Sequence, residues 1–327
     1  MTFNLNTLTV SPALLLAPMA GITDLPFRRL VQLFGAGLVV SEMVASQEMV
    51  QGKWATRERA ELGLGVENSA VQLAGREAYW MAEAARMAEA NGARVIDINM
   101  GCPAKKVTNG YSGSALLRTP NRALSLIEAV VGAVSVPVTL KTRLGWDDDS
   151  LNAHDVARRA EDAGVQMVTI HGRTRCQFYK GRADWAAIRR VREAISVPLI
   201  ANGDIVDPAT ARSALEASGA DGVMVGRGAQ GRPWILAQIA SEIFNSPKPD
   251  IPQGQRFYEM VAAHYEDMLS FYGQTLGLKV ARKHLGWYMD VVGTDAGLRR
   301  AVLTERAPDN VMRLLSDALA QRTESVA

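Results

Sequence analysis

Eight short apolar runs punctuate the first 228 residues: "ALLLAPMAG" (13–21), "LVVSEM" (38–43), "AVQLAG" (70–75), "RVIDINMG" (94–101), "PVTLKTR" (137–143), "MVTIHGR" (167–173), "PLIANGD" (198–204) and "GVMVGRG" (222–228). They alternate little and stay apolar until polar residues collect at their C-terminal ends. Continuous apolarity marks strands covered on both faces, as in a parallel sheet flanked by helices. The intervening stretches are amphipathic. "REAYWMAEAARMAEANG" and "NAHDVARRAEDAG" each close on a glycine suited to a helix C-terminus. Eight strands alternating with helices over residues 13–240 predict an α/β fold, a (β/α)₈ TIM barrel, for which about 250 residues is typical. A doubly wound sheet is the alternative, but it would carry fewer strands and an early G-x-G-x-x-G, which is absent.

Beyond the last run the pattern changes. "NSPKPDIPQGQ" (245–255), rich in proline and polar residues, reads as a linker. Everything after it has a helical period, in four segments: "RFYEMVAAHYEDMLSFYG", "LKVARKHLGWYMDVV", "AGLRRAVL" and "PDNVMRLLSDALAQR". The predicted organisation is therefore a barrel over 1–244, a linker over 245–255 and a small helical domain over 256–327. Lys279, Arg282 and Lys283 share one helix face, at i, i+3 and i+4.

Composition narrows the picture a little. The chain has 327 residues, 48% hydrophobic, and a formal net charge of +2, so an acidic partner would need a local basic patch. Two cysteines, Cys102 and Cys176, support neither a disulfide framework nor a cysteine metal site. No apolar stretch reaches the ~18 residues that would span a bilayer, and "MTFNLNTLTV" lacks the basic-then-apolar order of a secretory signal. A reduced, cytoplasmic protein is expected.

In such a barrel, polar residues at the C-terminal strand ends read as the active site. Strands 7 and 8 end in "ANGD" and "GRG", glycine-rich turns where barrels hold phosphate and where Arg227 would add charge. Two tight turns that simply need glycine fit the same letters. Gln72 and Lys141, pointing into the same mouth, favour the phosphate reading, because an amide and an ammonium suit the carbonyl edge of a flavin ring. His171 has no neighbours at metal-ligand spacing, and no metal site is expected. Cys102 follows strand 4 in "DINMGCPAKKV", between two turn formers and ahead of a lysine pair. It reads as a reactive thiol at the mouth or, alternatively, as a small buried hydrophobe.

These segments together carry a resemblance. "APMAGITDLPFR", "DINMGCPAKKV", "SGSALL", "LKTRLGW", "IHGRTR", "IANGDI" and "GRGAQGRPW", with "ARKHLGWY" in the tail, resemble the tRNA-dihydrouridine synthase family, most of all its bacterial B-type subfamily. The resemblance implies an FMN-containing barrel, reduction of the flavin by NADPH and a helical tRNA-binding domain. By motif position it implies that Pro18, Met19 and Ala20 cradle the flavin ring, and that Gln72, Lys141 and His171 contact the ring or ribityl chain. Asn202, Gly203, Asp204, Gly226 and Arg227 would take the phosphate end. Asn99, helped by Arg173, would hold the target uracil, and Cys102 would donate the proton.

Reduction of the uracil double bond needs a hydride at carbon-6 and a proton at carbon-5, delivered from opposite faces of the ring. A free thiol with a pKa near ~8.5 remains mostly protonated at neutral pH and can serve as that acid. Lys105 and Lys106 would oppose this by favouring thiolate if they faced the sulfur; they are expected to point at RNA phosphate instead. Flipping the base out of a folded RNA costs a few kcal/mol. Phosphate contacts from Lys105, Lys106, Arg173, Arg175, Lys279, Arg282 and Lys283 would offset it; for the last three, ordinary solvated helix charge is the alternative. Three other functions share parts of the pattern: a flavin barrel acting on a free pyrimidine or enone, a flavin-free lyase or isomerase of a phosphorylated sugar, and a non-catalytic RNA-binding protein. No motif names the uridine position, and a monomer without an obligate protein partner is expected.

Overall fold

The computed structural model describes residues 1–6, 8–52 and 68–320. Its centre is a closed ring of eight parallel strands: β3 (Leu14–Leu16), β4 (Leu38–Val40), β6 (Ser69–Ala74), β7 (Val95–Met100), β8 (Val138–Arg143), β9 (Met167–His171), β10 (Leu199–Asn202) and β11 (Gly222–Val225). β11 pairs with β3 and β4 with β6, which closes the barrel. All eight predicted runs form barrel strands. Gln72, Asn99, Lys141, Arg143, His171 and Asn202 are the last inward polar residues of their strands, while Pro18–Ala20, Cys102, Arg173, Gly203, Asp204 and Gly226–Gly228 lie in the turns just beyond.

Three short strands were not anticipated. β1 (Phe3–Leu5) and β2 (Leu8–Val10) form an antiparallel hairpin, and β5 (Val44–Ala45) adds a short pairing beyond β4. Leu5, Leu8 and Val10 of the hairpin join Leu15, Leu38, Ala70, Val95, Met167, Ile200 and Met224 in one cluster that fills the lower barrel. A second, larger cluster lies between the outer strand faces and the helices. Strand residues of period 2 point inward. Along β7 the inward series runs Val95, Asp97, Asn99, and along β8 Thr139, Lys141, Arg143. The alternation missing from the apolar runs is therefore a vertical change, apolar at the bottom and polar at the top.

Helices connect the strands. The helix Leu25–Leu33 starts at Asp24, whose side chain accepts from the Phe27 N–H, with Pro26 in its first turn. The helix Pro208–Ser218 carries a reciprocal Asp207–Thr210 cap and ends at Gly219 in the left-handed region. Residues 245–253, within the expected linker, form neither helix nor strand; the next helix begins at Gly254, two residues earlier than predicted. That helix, Gly254–Val292, is two helices broken at Gly273, where φ is 74°. Ala296–Thr304 and Pro308–Ala320 follow, and residues 321–327 of the last predicted helix and domain lie outside the described residues. The tail has its own core, including Phe257, Val261, Tyr265, Leu285, Tyr288 and Leu315, and it packs on Leu30 and Phe34 of the Leu25–Leu33 helix. Among the described residues no helix is long and apolar enough to cross a membrane.

Candidate active site

A cavity of about 760 Å³ opens at the C-terminal ends of the strands, a size suited to a cofactor with part of a substrate. Pro18, Met19, Ala20, Gln72, Asn99, Cys102, Lys141, His171, Asn202, Gly203, Asp204, Gly226 and Arg227 all line it. The structure thus brings together every cofactor-site residue expected from sequence, with Asn99 and Cys102. β7 and β11 are four steps apart either way around the ring of eight. The turns that carry Cys102 and Arg227 therefore face each other across the mouth.

The Cys102 turn is held by hydrogen bonds to the N–H and carbonyl groups of both Gly101 and Cys102. Asn99 Oδ1 accepts from the N–H groups of Gly101 (3.2 Å) and Cys102 (3.0 Å). The Cys102 carbonyl accepts from Ser114 Oγ (2.8 Å) and from the Ser114 N–H (3.1 Å). Arg143 Nε donates to the Gly101 carbonyl at 2.7 Å. Gly113 sits at φ +60°, and a Cβ there would come within 2.8 Å of the Cys102 carbonyl oxygen, so only glycine allows this close approach. The thiol itself is half-buried and free.

At the floor, Lys141 Nζ donates to Asn202 Oδ1 at 3.1 Å, and Asn202 Nδ2 donates to the Met224 carbonyl at 2.8 Å. Burial and the Arg143 charge push the Lys141 ammonium down to about 8, while Asp97 and Cys102 pull it upward. His171 is pushed well below the usual histidine range by burial and then by Lys141, Arg143 and Arg173, so it is neutral at physiological pH. Arg173 Nη1 lies 3.3 Å from His171 Nε2. A guanidinium can only donate, so Nε2 is the acceptor and the ring proton sits on Nδ1.

The turn after β10 lies beside the Arg227 turn. Gly203 has φ +114°, and a Cβ on it would meet Ala183 Cβ at 2.9 Å. Asp204 is raised by burial, but hydrogen bonds from Arg173 and the Ala183 N–H, with the Arg173 and Arg227 charges, outweigh that and hold it below the usual carboxylate range. Arg173 from the β9 turn and Arg227 from the β11 turn both pair with it, and Arg227 stays exposed at the mouth. The "PMA" turn is folded onto itself by Thr23, whose Oγ1 accepts from the Met19 N–H at 2.8 Å. Gly21 donates to Glu42, and a Cβ on Gly21 would stand 3.0 Å from Lys283 Nζ, which places that tail lysine at the rim.

The predicted RNA-contacting residues divide. Lys105, Lys106, Lys279 and Lys283 are exposed. Three arginines are occupied internally. Arg173 is 1% exposed and donates to the Lys180 and Gly181 carbonyls and to Asp204. Arg175 stacks between Trp146 and Phe178 and reaches Thr108 Oγ1, bracing the segment after Cys102. Arg282 is half-buried and donates to the Glu305 carbonyl. From sequence Arg143 stands only among the polar strand ends, and Asp97 and Tyr179 have no expected role. Tyr179, 56% exposed, lies on the rim with the Arg143 and Arg227 guanidinium carbons each 5.4 Å from its ring centre.

Comparison with known proteins agrees with this geometry. A family model described as Dihydrouridine synthase (Dus) matches residues 15–323. A "Probable tRNA-dihydrouridine synthase" of Rhodobacter capsulatus is 60% identical over 324 residues, 98% of this chain and 99% of that protein. The "tRNA-dihydrouridine synthase B" of Pseudomonas syringae pv. tomato is 47% identical over 281 residues, 86% of this chain and 83% of its own length. Among solved structures, an old yellow enzyme homologue from Zymomonas mobilis matches with a TM-score of 0.53 at 15% identity, covering 76% of this chain and 93% of that one. Histamine dehydrogenase from a Rhizobium species matches with a TM-score of 0.56 at 12% identity, over 98% of this chain and 64% of its own. These two share the barrel fold.

Proposed function

This chain belongs to the dihydrouridine synthase family, and from that premise we propose that it reduces uridines in tRNA to 5,6-dihydrouridine as a flavin-dependent oxidoreductase. The observation that carries the reading is the placement of a free thiol, on a turn held by hydrogen bonds at Gly101 and Cys102, across the mouth from the glycine-flanked Arg227 turn.

The residues present fit a flavin mononucleotide. Gly203 and Gly226 bring bare backbone to the cavity wall, Arg227 supplies exposed positive charge, and Lys141 puts a buried ammonium at the floor. Pro18, Met19 and Ala20 would bear on the ring, with Gln72, Lys141 and His171 at its polar edge and ribityl chain. Asn202, Gly203, Asp204, Gly226 and Arg227 would hold the phosphate end. When bound, the flavin would supply a hydride to uracil carbon-6 after taking one from NADPH.

The chain's own groups do the rest. Asn99 orients the uracil, with Arg173 bracing that wall through His171 and Asp204. Cys102 gives its proton to carbon-5 from the face away from the flavin. The neutral His171 adds no positive charge beside Lys141. Lys141 places a cation where negative charge collects on the reduced ring. Lys105, Lys106, Lys279 and Lys283 meet RNA phosphates, which position the RNA without reading its sequence, and Arg175 and Arg282 stiffen the elements that carry them. In this scheme residues 1–244 are the catalytic domain and 256–327 the tRNA-binding domain, working as a cytoplasmic monomer. The test is to incubate purified protein, FMN and NADPH with tRNA from a strain lacking the enzyme, and separately with free uridine. Dihydrouridine forming in tRNA, with free uridine far slower, is the expected result; equal rates on both would reassign the protein to free pyrimidines.

A further inference from the structure

Beneath the cavity lies an unbroken chain of hydrogen bonds that ends at the Cys102 backbone. Asp97 is 2% exposed. Its Oδ2 accepts from Gln72 Nε2 at 2.6 Å, and its Oδ1 accepts from Thr139 Oγ1 at 2.6 Å. Gln72 Oε1 accepts from Asn99 Nδ2 at 2.8 Å. Asn99 Oδ1 then accepts from the N–H groups of Gly101 and Cys102. Chemistry forces the direction of this chain from both ends. Burial raises the Asp97 carboxyl to about 6, against the hydrogen bonds from Thr139 and Gln72 and the charge of Lys141. At neutral pH it is thus ionised and can only accept, while backbone N–H groups can only donate. Neither amide between them can turn over without opposing like dipoles in a buried site.

We propose that Asp97 is a positioning residue: its carboxylate sets the orientation of the Gln72 and Asn99 amides and, through them, holds the turn that aims the Cys102 thiol into the cavity. The inference deepens the proposed reaction and rests on that reading for its catalytic meaning, but the hydrogen-bond chain exists in the protein alone. Asp97 lines no part of the cavity and touches no reacting atom. It acts through two residues that do line it.

The chain can be broken and then rebuilt in reverse. Asn99→Asp leaves two carboxylates competing for the one NH₂ group of Gln72, so the clamp on the 101–102 amides loosens. Adding Asp97→Asn restores every bond with opposite polarity. The introduced amide donates to Gln72 Oε1, Gln72 donates to the introduced carboxylate, and that carboxylate still accepts from Gly101 and Cys102. The introduced carbonyl still accepts from Thr139.

The experiment compares wild type, Asn99→Asp and the Asp97→Asn/Asn99→Asp pair, each in a Cys176→Ser background, because Cys176 is exposed and would also react. Hydrogen exchange at the 101–102 amides and the rate of Cys102 alkylation by iodoacetamide are measured without flavin or tRNA, with the melting temperature as a folding control. Loss of the clamp in Asn99→Asp is expected to speed exchange about tenfold, the value of one net hydrogen bond, and to change the alkylation rate. The pair is expected to return both to within about threefold of wild type. Unchanged exchange in a folded Asn99→Asp protein overturns the proposal, and so does a folded pair that is no better than the single variant. Activity assays on the same proteins keep the two readings separate: absence of dihydrouridine in every protein refutes the reaction while the exchange data still decide the positioning role.

Discussion

Replacing Cys102 by alanine separates the thiol's chemistry from the architecture that holds it. The turn is fixed by backbone groups: the Cys102 N–H to Asn99 Oδ1 at 3.0 Å, its carbonyl from Ser114 Oγ at 2.8 Å, and the preceding carbonyl from Arg143 Nε at 2.7 Å. None of these involves the sulfur. Cys102→Ala removes one half-buried atom, a stability cost below about 1 kcal/mol, so the melting temperature should move by only ~2–4 °C. Loss of a positioned general acid lowers the rate by about 10²–10⁴-fold, equivalent to about 2.7–5.5 kcal/mol of barrier. The assay is single-turnover formation of dihydrouridine in unmodified tRNA, followed by mass spectrometry. Stopped-flow reduction of the bound flavin by NADPH is measured alongside, and it should stay within about twofold because the thiol has no part in that half-reaction. Full uracil reduction by the variant would refute the acid role. So would loss of both half-reactions in a protein with an unchanged melting temperature.

Three further outcomes are expected. Flavin mononucleotide binding should weaken by up to about tenfold per pH unit above 8, as the Lys141 ammonium, lowered to about 8, loses its proton; fluorescence titration of Lys141→Met should show weaker binding without that slope. Asp24, buried and raised to about 7, must ionise against its preference in the folded state above that pH, a cost absent below its unfolded value of 3.8. Asp24→Asn should therefore raise the melting temperature most above pH 7, with the gain shrinking toward pH 4, and a pH-independent difference would contradict this. Lys279→Ala with Lys283→Ala should reduce the salt slope of tRNA binding by about 1.4–1.8 for two lost phosphate contacts, whereas an unchanged slope in filter binding would mean that both lysines are merely solvated.

Much of the architecture is legible from letters, for identifiable reasons. A strand covered on both faces must be apolar along most of its length, so all eight barrel strands declare themselves, and their polar ends mark the mouth. The β1–β2 hairpin does not, because three-residue strands such as "FNL" and "LTV" fall below any readable period. Gly273 in "SFYGQ" marked the end of one predicted helix, and it is indeed where the long tail helix breaks.

The arginines were harder to place. Arg173 and Arg282 donate to main-chain carbonyls at Lys180, Gly181 and Glu305, partners that carry no side-chain signature. Arg175 is held by stacking on Trp146 and Phe178. From sequence such residues look free to meet phosphate. Asp97 hid for a different reason: one acid inside "RVIDINMG" looks like a blemish in an apolar strand until the barrel places Gln72 and Asp97 in register on neighbouring strands.

The most direct measurement is to reduce the flavin-loaded protein under anaerobic conditions, remove excess NADPH and mix it with tRNA lacking dihydrouridine. The account predicts that the oxidised flavin band returns with one dihydrouridine formed per flavin. A band that stays bleached in the presence of this tRNA, or that returns without dihydrouridine, would contradict it.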